Sequence, residues 1–220
     1  MDNSTATFTL MELFRMGGII MWPLLFFSIA TVGITLERTI FLVYHNLKVD
    51  DLKEKVAEAI QTGKLKETKV FLESHARRRV GARVFLALVN RCQGPASRLS
   101  ERRLEKVVEA EAAGSMASLE SGFSLLTTLA SIAPLTGFLG TVTGMIAAFR
   151  SIAEAADVNA QIVAAGIYEA LITTVFGLVI AIVAMSAHSI FANIVDKFAS
   201  DMEIACSELI ISICEAGHED

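Results

Sequence analysis

Cysteine is scarce: 220 residues carry three, Cys92, Cys206 and Cys214, with no CxxC pair and no Cys/His spacing of a metal site. A disulfide framework and a zinc centre are thereby set aside, and all three are read as reduced structural thiols in cytoplasmic segments. No glycine-rich phosphate loop and no nucleophile–base constellation is present, so neither an enzyme nor a cofactor nor a bound metal is expected. No inverted repeat or pair of broken half-helices is visible, which argues against a small-molecule transporter. Charge is sparse as well, at 20% of residues against 53% hydrophobic, with a mean hydropathy of +0.54. Such a balance excludes disorder and is rare in a soluble globular domain. The basic run Arg77-Arg78-Arg79 has no aromatic residues interleaved, so it reads as a solvated charge cluster rather than a nucleic-acid surface.

What the chain has instead is long uncharged runs. Met16 to Leu36 is uncharged over 21 residues and Ser121 to Phe149 over 29, while Ile162 to Val195 is interrupted only by Glu169 and His188. Each is long enough to cross a bilayer, and at its rise per residue the second would reach roughly 44 Å as a helix, beyond the hydrocarbon core. The leader MDNSTATFTLMELFR is not basic and no small-residue cleavage site follows, so the first run reads as a retained anchor.

The expected fold is all-α with three transmembrane helices, the second and third extending into the cytoplasm. The expected segments are a periplasmic leader (1–15), span one (16–44), a cytoplasmic helical domain (45–117), span two (118–150), a periplasmic link (151–161), span three (162–195) and a cytoplasmic C-terminal helix (196–220). Orientation follows from the basic residues. Fifteen of the 19 Lys and Arg lie between Lys48 and Lys106, against ten acids from Asp50 to Glu111, and the 151–161 link has Glu154 and Asp157 but no base. The positive-inside rule places the large loop and the C-terminus in the cytoplasm.

Within the loop, Leu52, Val56, Ile60, Leu65 and Leu72, with a break at Gly63, predict two short amphipathic helices. Val80 to Val89 predicts a third, Gly94-Pro95 a turn, and Leu99 to Leu119 a fourth, with Ser100 as N-cap. With only Gly114 as a breaker, that fourth helix is expected to run unbroken into span two. Phe198, Met202, Ala205, Leu209 and Ile213 predict an amphipathic continuation of span three.

Glu169 stands out, because a carboxylate inside a membrane span costs roughly 2.5 to 3.5 kcal/mol and faces a bundle interior or a wet path. Thr173 and Thr174 follow it. In span two Ala130, Pro134, Gly137, Thr141, Gly144 and Ala148 share a stripe, as do Ala170, Thr174, Gly177, Ala181, Ala184 and His188 in span three. Small residues there allow close helix approach, or else line a narrow polar lumen. Glu169 lies about 140° from Thr174 on an ideal helix. Either the helix is distorted, or Glu169 reaches an interface or lumen rim while Thr174 faces inward. His188 reads as a helix–helix hydrogen bond or a proton relay, and Arg150 as a headgroup anchor or partner of a nearby acid.

APLTGFLGTVTGMIAAF (Ala133 to Phe149) and GIYEALITTVFGLVIAIVA (Gly166 to Ala184) resemble signatures of the ExbB/TolQ/MotA proton-channel superfamily. The first span, GGIIMWPLLFFSIATVGITLERTIFL (Gly17 to Leu42), is similar too, and three spans rather than four favour the ExbB or TolQ branches. The resemblance implies a homopentameric ring in the bacterial inner membrane, with its pore lined by spans two and three. It implies an ExbD- or TolR-like single-span partner carrying a membrane aspartate, and coupling of proton flow to a TonB- or TolA-like periplasm-spanning protein. By motif position it assigns Thr141, Glu169 and Thr174 as polar pore residues and Pro134 as the helix-two proline. Thr173 joins the expected path; Gly137, Gly144, Gly177 and Ala181 join Pro134 on the packing and pore face. TonB-dependent uptake is the favoured output. A TolQ-like role in envelope integrity, a gliding or motility stator, sodium coupling, and a non-conducting oligomeric scaffold stay open.

Overall fold

A computed structural model describes residues 10–45, 47–62, 64–76, 78–92, 101–154 and 160–216. Among them every regular element is helical: α1 (Leu10–Met16), α2 (Met21–Tyr44), α3 (Asp50–Thr62), α4 (Leu65–His75), α5 (Val80–Cys92), α6 (Glu101–Glu120), α7 (Phe123–Glu154) and α8 (Ala160–Ala216). Three stretches are long and apolar enough to cross a membrane: α2, a second within Arg102–Glu154, and a third within Ala164–Cys214. Gly63, Arg77, Gly94-Pro95, Ser100 and Asp157 lie outside the described residues.

The chain divides into two compact units. The first takes Met1–Leu36 and Gly122–Ser189. Its interior is small: Met21, Leu24, Ala133, Ile172 and Ile180 are buried together, with Leu13, Phe14, Ile20, Phe27 and Phe176 packed against them. Its outer surface is apolar, with Trp22, Phe26, Ile29, Leu135 and Phe138 each more than three-fifths exposed. A soluble protein would cover such a surface, whereas lipid is its natural solvent. Phe14 of α1 meets Trp22 of α2 edge-on at 5.6 Å, a pairing that suits the interfacial level of a bilayer.

The second unit takes Glu37–Ser121 and Ile190–Asp220. The loop periodicity is realised there as α3 and α4, with Leu52, Val56 and Leu72 buried and Ile60 and Leu65 half-buried. Phe85 and Leu88 of α5 are fully enclosed, and Gly81 lies under Met202, Leu52 and Phe198. Phe198, Met202, Ala205 and Leu209 of α8 are buried, which is the amphipathic pattern read from the tail. Lys53 pairs with Glu208. Arg79 lies 3.9 Å from Asp51, and the Arg78 guanidinium lies 5.9 Å from the Tyr44 ring centroid. Arg78 is exposed and Asp51 largely so, and these are surface contacts of a solvated cluster.

The expected unbroken helix through Gly114 is corrected. The helix stops at Glu120 and restarts at Phe123, with Gly122 at φ +85°, a left-handed conformation that glycine adopts without strain. Gly114 stays inside α6, and a Cβ there would meet nothing within 4 Å. Gly114→Ala is accordingly expected to stabilise the protein by about 0.5–1 kcal/mol, measurable as a raised thermal midpoint.

Burial pushes the Cys206 thiol up to about 12 from 9.0. At pH 8 it is expected to stay unalkylated in the folded protein. Between pH 9 and 12 the unfolded chain loses this proton first, so the contribution is present below pH 9 and stability falls as pH rises through that window. Alkylation mapped by mass spectrometry, and melting curves at stepped pH on Cys206→Ala against wild type, check both.

Candidate functional site

The site is built on the seam between α7 and α8. Ala148 opposes Gly166, Gly144 opposes Ala170, Gly137 opposes Thr174 and Gly177, and Gly177 opposes Ala133, so the two helices run antiparallel. The approach is close enough to require glycine. A Cβ on Gly137 would stand 2.8 Å from the Thr173 carbonyl oxygen, and one on Gly177 would stand 2.6 Å from that of Ala133. Small residues let backbones approach this way where no water is available to drive association.

The buried residues of α7 are Phe123, Leu126, Ala130, Ala133, Gly137, Gly140, Gly144 and Ala148. Those of α8 include Ala170, Thr173, Gly177, Ile180, Ala184 and Ala187. Steps of three and four alternate from Phe123 to Gly144 and from Ala170 to Ala187, so the seam follows a heptad spacing over those stretches. It differs from the expected stripes: Ala133 and Gly140 replace Pro134 and Thr141 on α7, and Thr173 and Ile180 replace Thr174 and Ala181 on α8. Gly137, Gly144 and Gly177 are buried in the seam, while Pro134, Thr141, Thr174 and Ala181 are half-buried beside it.

That displacement sorts the polar residues. In an antiparallel pair, the residue one step after a seam position falls on the same flank of both helices. Thr141 follows Gly140 and Thr174 follows Thr173, so the two hydroxyls share a flank, with Pro134 and Ala181 one heptad away. Glu169 precedes Ala170 and lies on the other flank, toward α1 and α2. There its Oε1 occupies the place a Gly18 side chain would take. The α8 helix is continuous, so no distortion is needed to reconcile Glu169 with Thr174.

Thr173, expected in the polar path, is instead enclosed in the seam at 1% exposure. Its hydroxyl donates to the Ala170 carbonyl at 2.8 Å and approaches the Gly137 carbonyl at 3.2 Å. Thr174 donates to the same Gly137 oxygen at 3.1 Å, and Thr141 donates to Phe138 O at 2.6 Å. A hydroxyl has one hydrogen. With that hydrogen turned onto backbone, Thr141 and Thr174 can offer their flank only lone pairs, an environment that suits a hydrated proton or another small cation.

His188 meets Phe123 edge-on at 5.9 Å, and Arg150 pairs with Glu154 at 2.8 Å. Sequence reasoning missed Gly18, Gly140 and Gly166, whose signal was only their glycine identity, and Thr31. Thr31 is 1% exposed on α2, and its hydroxyl has no hydrogen-bond partner among the described residues. Those residues also hold no group of three or more His, Cys, Asp or Glu placed for a metal.

Fold and site together define a helical membrane protein whose spans close on small residues and set hydroxyls along one flank. The model of the MotA/TolQ/ExbB proton channel family matches residues 64–204, and the chain belongs to that family. It is 31% identical over 215 residues to the putative biopolymer transport protein ExbB-like 1 of Synechocystis sp., covering 93% of this chain and 82% of that one. It is 29% identical over 201 residues to the biopolymer transport protein exbB1 of Vibrio cholerae, covering 89% and 84%. Over a shorter stretch of 72 residues it is 44% identical to the Tol-Pal system protein TolQ of Haemophilus influenzae, covering 33% and 32%.

Proposed function

We propose that the protein is a proton-channel and stator subunit of an inner-membrane energy-transducing motor. Five copies form a ring whose lumen is lined by the Thr141/Thr174 flank of α7 and α8. A single-span partner of ExbD or TolR type occupies the lumen and supplies the titrating acid, because the threonine hydroxyls have no useful pKa and Glu169 lies on the other flank. Proton flow past the hydroxyl rings moves the partner, and the partner works on a TonB- or TolA-like protein, with outer-membrane uptake the favoured output. The 45–117 domain and the 196–220 tail are cytoplasmic in this arrangement, and residues 1–15 and 151–161 periplasmic.

The observation that carries the reading is the sharing of one flank by two hydroxyls whose hydrogens are both committed to backbone. Membership of a proton channel family supports it. The test is purification in mild detergent followed by mass spectrometry of intact complexes. A ring of five holding a small chain with a membrane aspartate is the expected result. Self-oligomers alone, across several detergents, would replace the motor with a non-conducting scaffold.

A further inference from the structure

Glu169 has a seat, and the seat is a single glycine. Gly18 lies in the turn between α1 and α2 at φ +66°, a conformation that side-chain-bearing residues adopt with strain. Its missing side chain makes room for the carboxyl. A Cβ at Gly18 would fall on Glu169 Oε1, 2.9 Å from Cδ and 3.7 Å from Cγ. The contact is one of shape: the carboxyl fills the space that a side chain at position 18 would need. The turn itself is fixed from both sides. Leu13 and Phe14 before it and Ile20 and Met21 after it join the apolar cluster that also contains Ile172, one turn along α8 from Glu169.

The geometry points to Gly18 as a positioning residue for Glu169: the α1–α2 turn holds the carboxyl on the flank away from Thr141 and Thr174. This rests on the proposed function only for the consequence to output; the seat itself is a statement about where the carboxyl is held. A movement of α1 that shifts Gly18 then reaches the Glu169 carboxyl through this contact.

The test uses the full complex in native membranes and dicyclohexylcarbodiimide, an apolar reagent that modifies protonated carboxyls, with labelling at Glu169 read by mass spectrometry. Gly18→Ala fills the seat. Gly18→Asn fills it with a residue that tolerates positive φ. Gly33→Ala is the control, since a Cβ there meets nothing within 4 Å. Labelling is expected to accelerate roughly fivefold or more in both Gly18 variants, the order of effect expected when an added side chain overpacks a filled site, and to stay at the wild-type rate in Gly33→Ala.

Unchanged labelling in assembled Gly18 variants would overturn the assignment. If Gly18→Ala does not assemble, Glu169→Asp is added, because it withdraws the carboxyl carbon to about the present Cγ position. Restored assembly supports the seat; continued failure shows that backbone strain, not the carboxyl, is the reason for the glycine, and the assignment falls. Output of Glu169→Ala is measured separately. Full output with Gly18-dependent labelling would leave the seat standing and remove Glu169 from the working path.

Discussion

Gly177→Leu is expected to abolish the assembled protein, the largest effect of any single substitution in the membrane unit. Even the first carbon of the new side chain would stand 2.6 Å from the Ala133 carbonyl oxygen and 3.2 Å from Gly137 Cα. Both are backbone atoms of a helix, so no rotamer change relieves the clash, and α7 must move away from α8. That movement also breaks the Thr173 and Thr174 bonds to the Gly137 carbonyl. Overpacking a formed core costs about 1–3 kcal/mol even where side chains can adjust, and here they cannot. Gly33→Leu adds the same side chain to α2 at a place with nothing within 4 Å and is expected to assemble normally. Size-exclusion profiles and thermal midpoints of the detergent-solubilised variants decide it: matching behaviour of the two leucines would mean that the seam is not closed as described.

How far the fold could be read in advance follows from the same packing. Uncharged runs announce membrane helices because desolvation dominates every local preference there, and the cytoplasmic helices announce themselves by apolar spacing. The end of α6 was not legible. Gly114 and Gly122 look alike in a sequence, and only the chain's path decides which one takes a positive φ. The seam was legible to within one residue. The expected and the observed stripe share Ala130, Gly137 and Gly144 at the same heptad spacing and differ in which neighbour completes it, Pro134 and Thr141 or Ala133 and Gly140. All four lie beside that row, so periodicity alone does not say which pair faces the partner helix. Thr173 and Thr174 are adjacent and identical in type, so composition could not say which is enclosed. The partner of Glu169 was the least legible of all. Gly18 lies 151 positions earlier and contributes by having no side chain, an absence that no local pattern encodes.

Thr174→Val and Thr173→Val are expected to fail in opposite ways. Valine keeps the β-branched shape and removes the hydroxyl, so packing is preserved and only the hydrogen-bonding oxygen is lost. At Thr173 that oxygen is sealed in the seam, where it donates to the Ala170 carbonyl with the Gly137 carbonyl 3.2 Å away, and it can meet no ion. Its loss is expected to lower stability by about 1 kcal/mol, with output per assembled complex unchanged. At Thr174 the hydrogen goes to Gly137, but the lone pairs face the half-open flank shared with Thr141. A hydrogen bond to a charged species is worth about 1.5–3 kcal/mol, so removing one acceptor from every subunit is expected to lower proton-driven output by roughly tenfold or more. Thr174→Ser, which keeps the oxygen, is expected to retain most of it. Output measured per assembled complex, alongside thermal midpoints, separates the two positions. If Thr173→Val lost output while Thr174→Val kept it, the conducting face would have to run through the seam, and the flank assigned here would be lipid or subunit contact. Each variant alone is ambiguous, because a damaged ring also fails to work. Their contrast is informative, since both substitutions remove a hydroxyl that lies within 3.2 Å of the same Gly137 carbonyl and the two positions differ in what that hydroxyl faces.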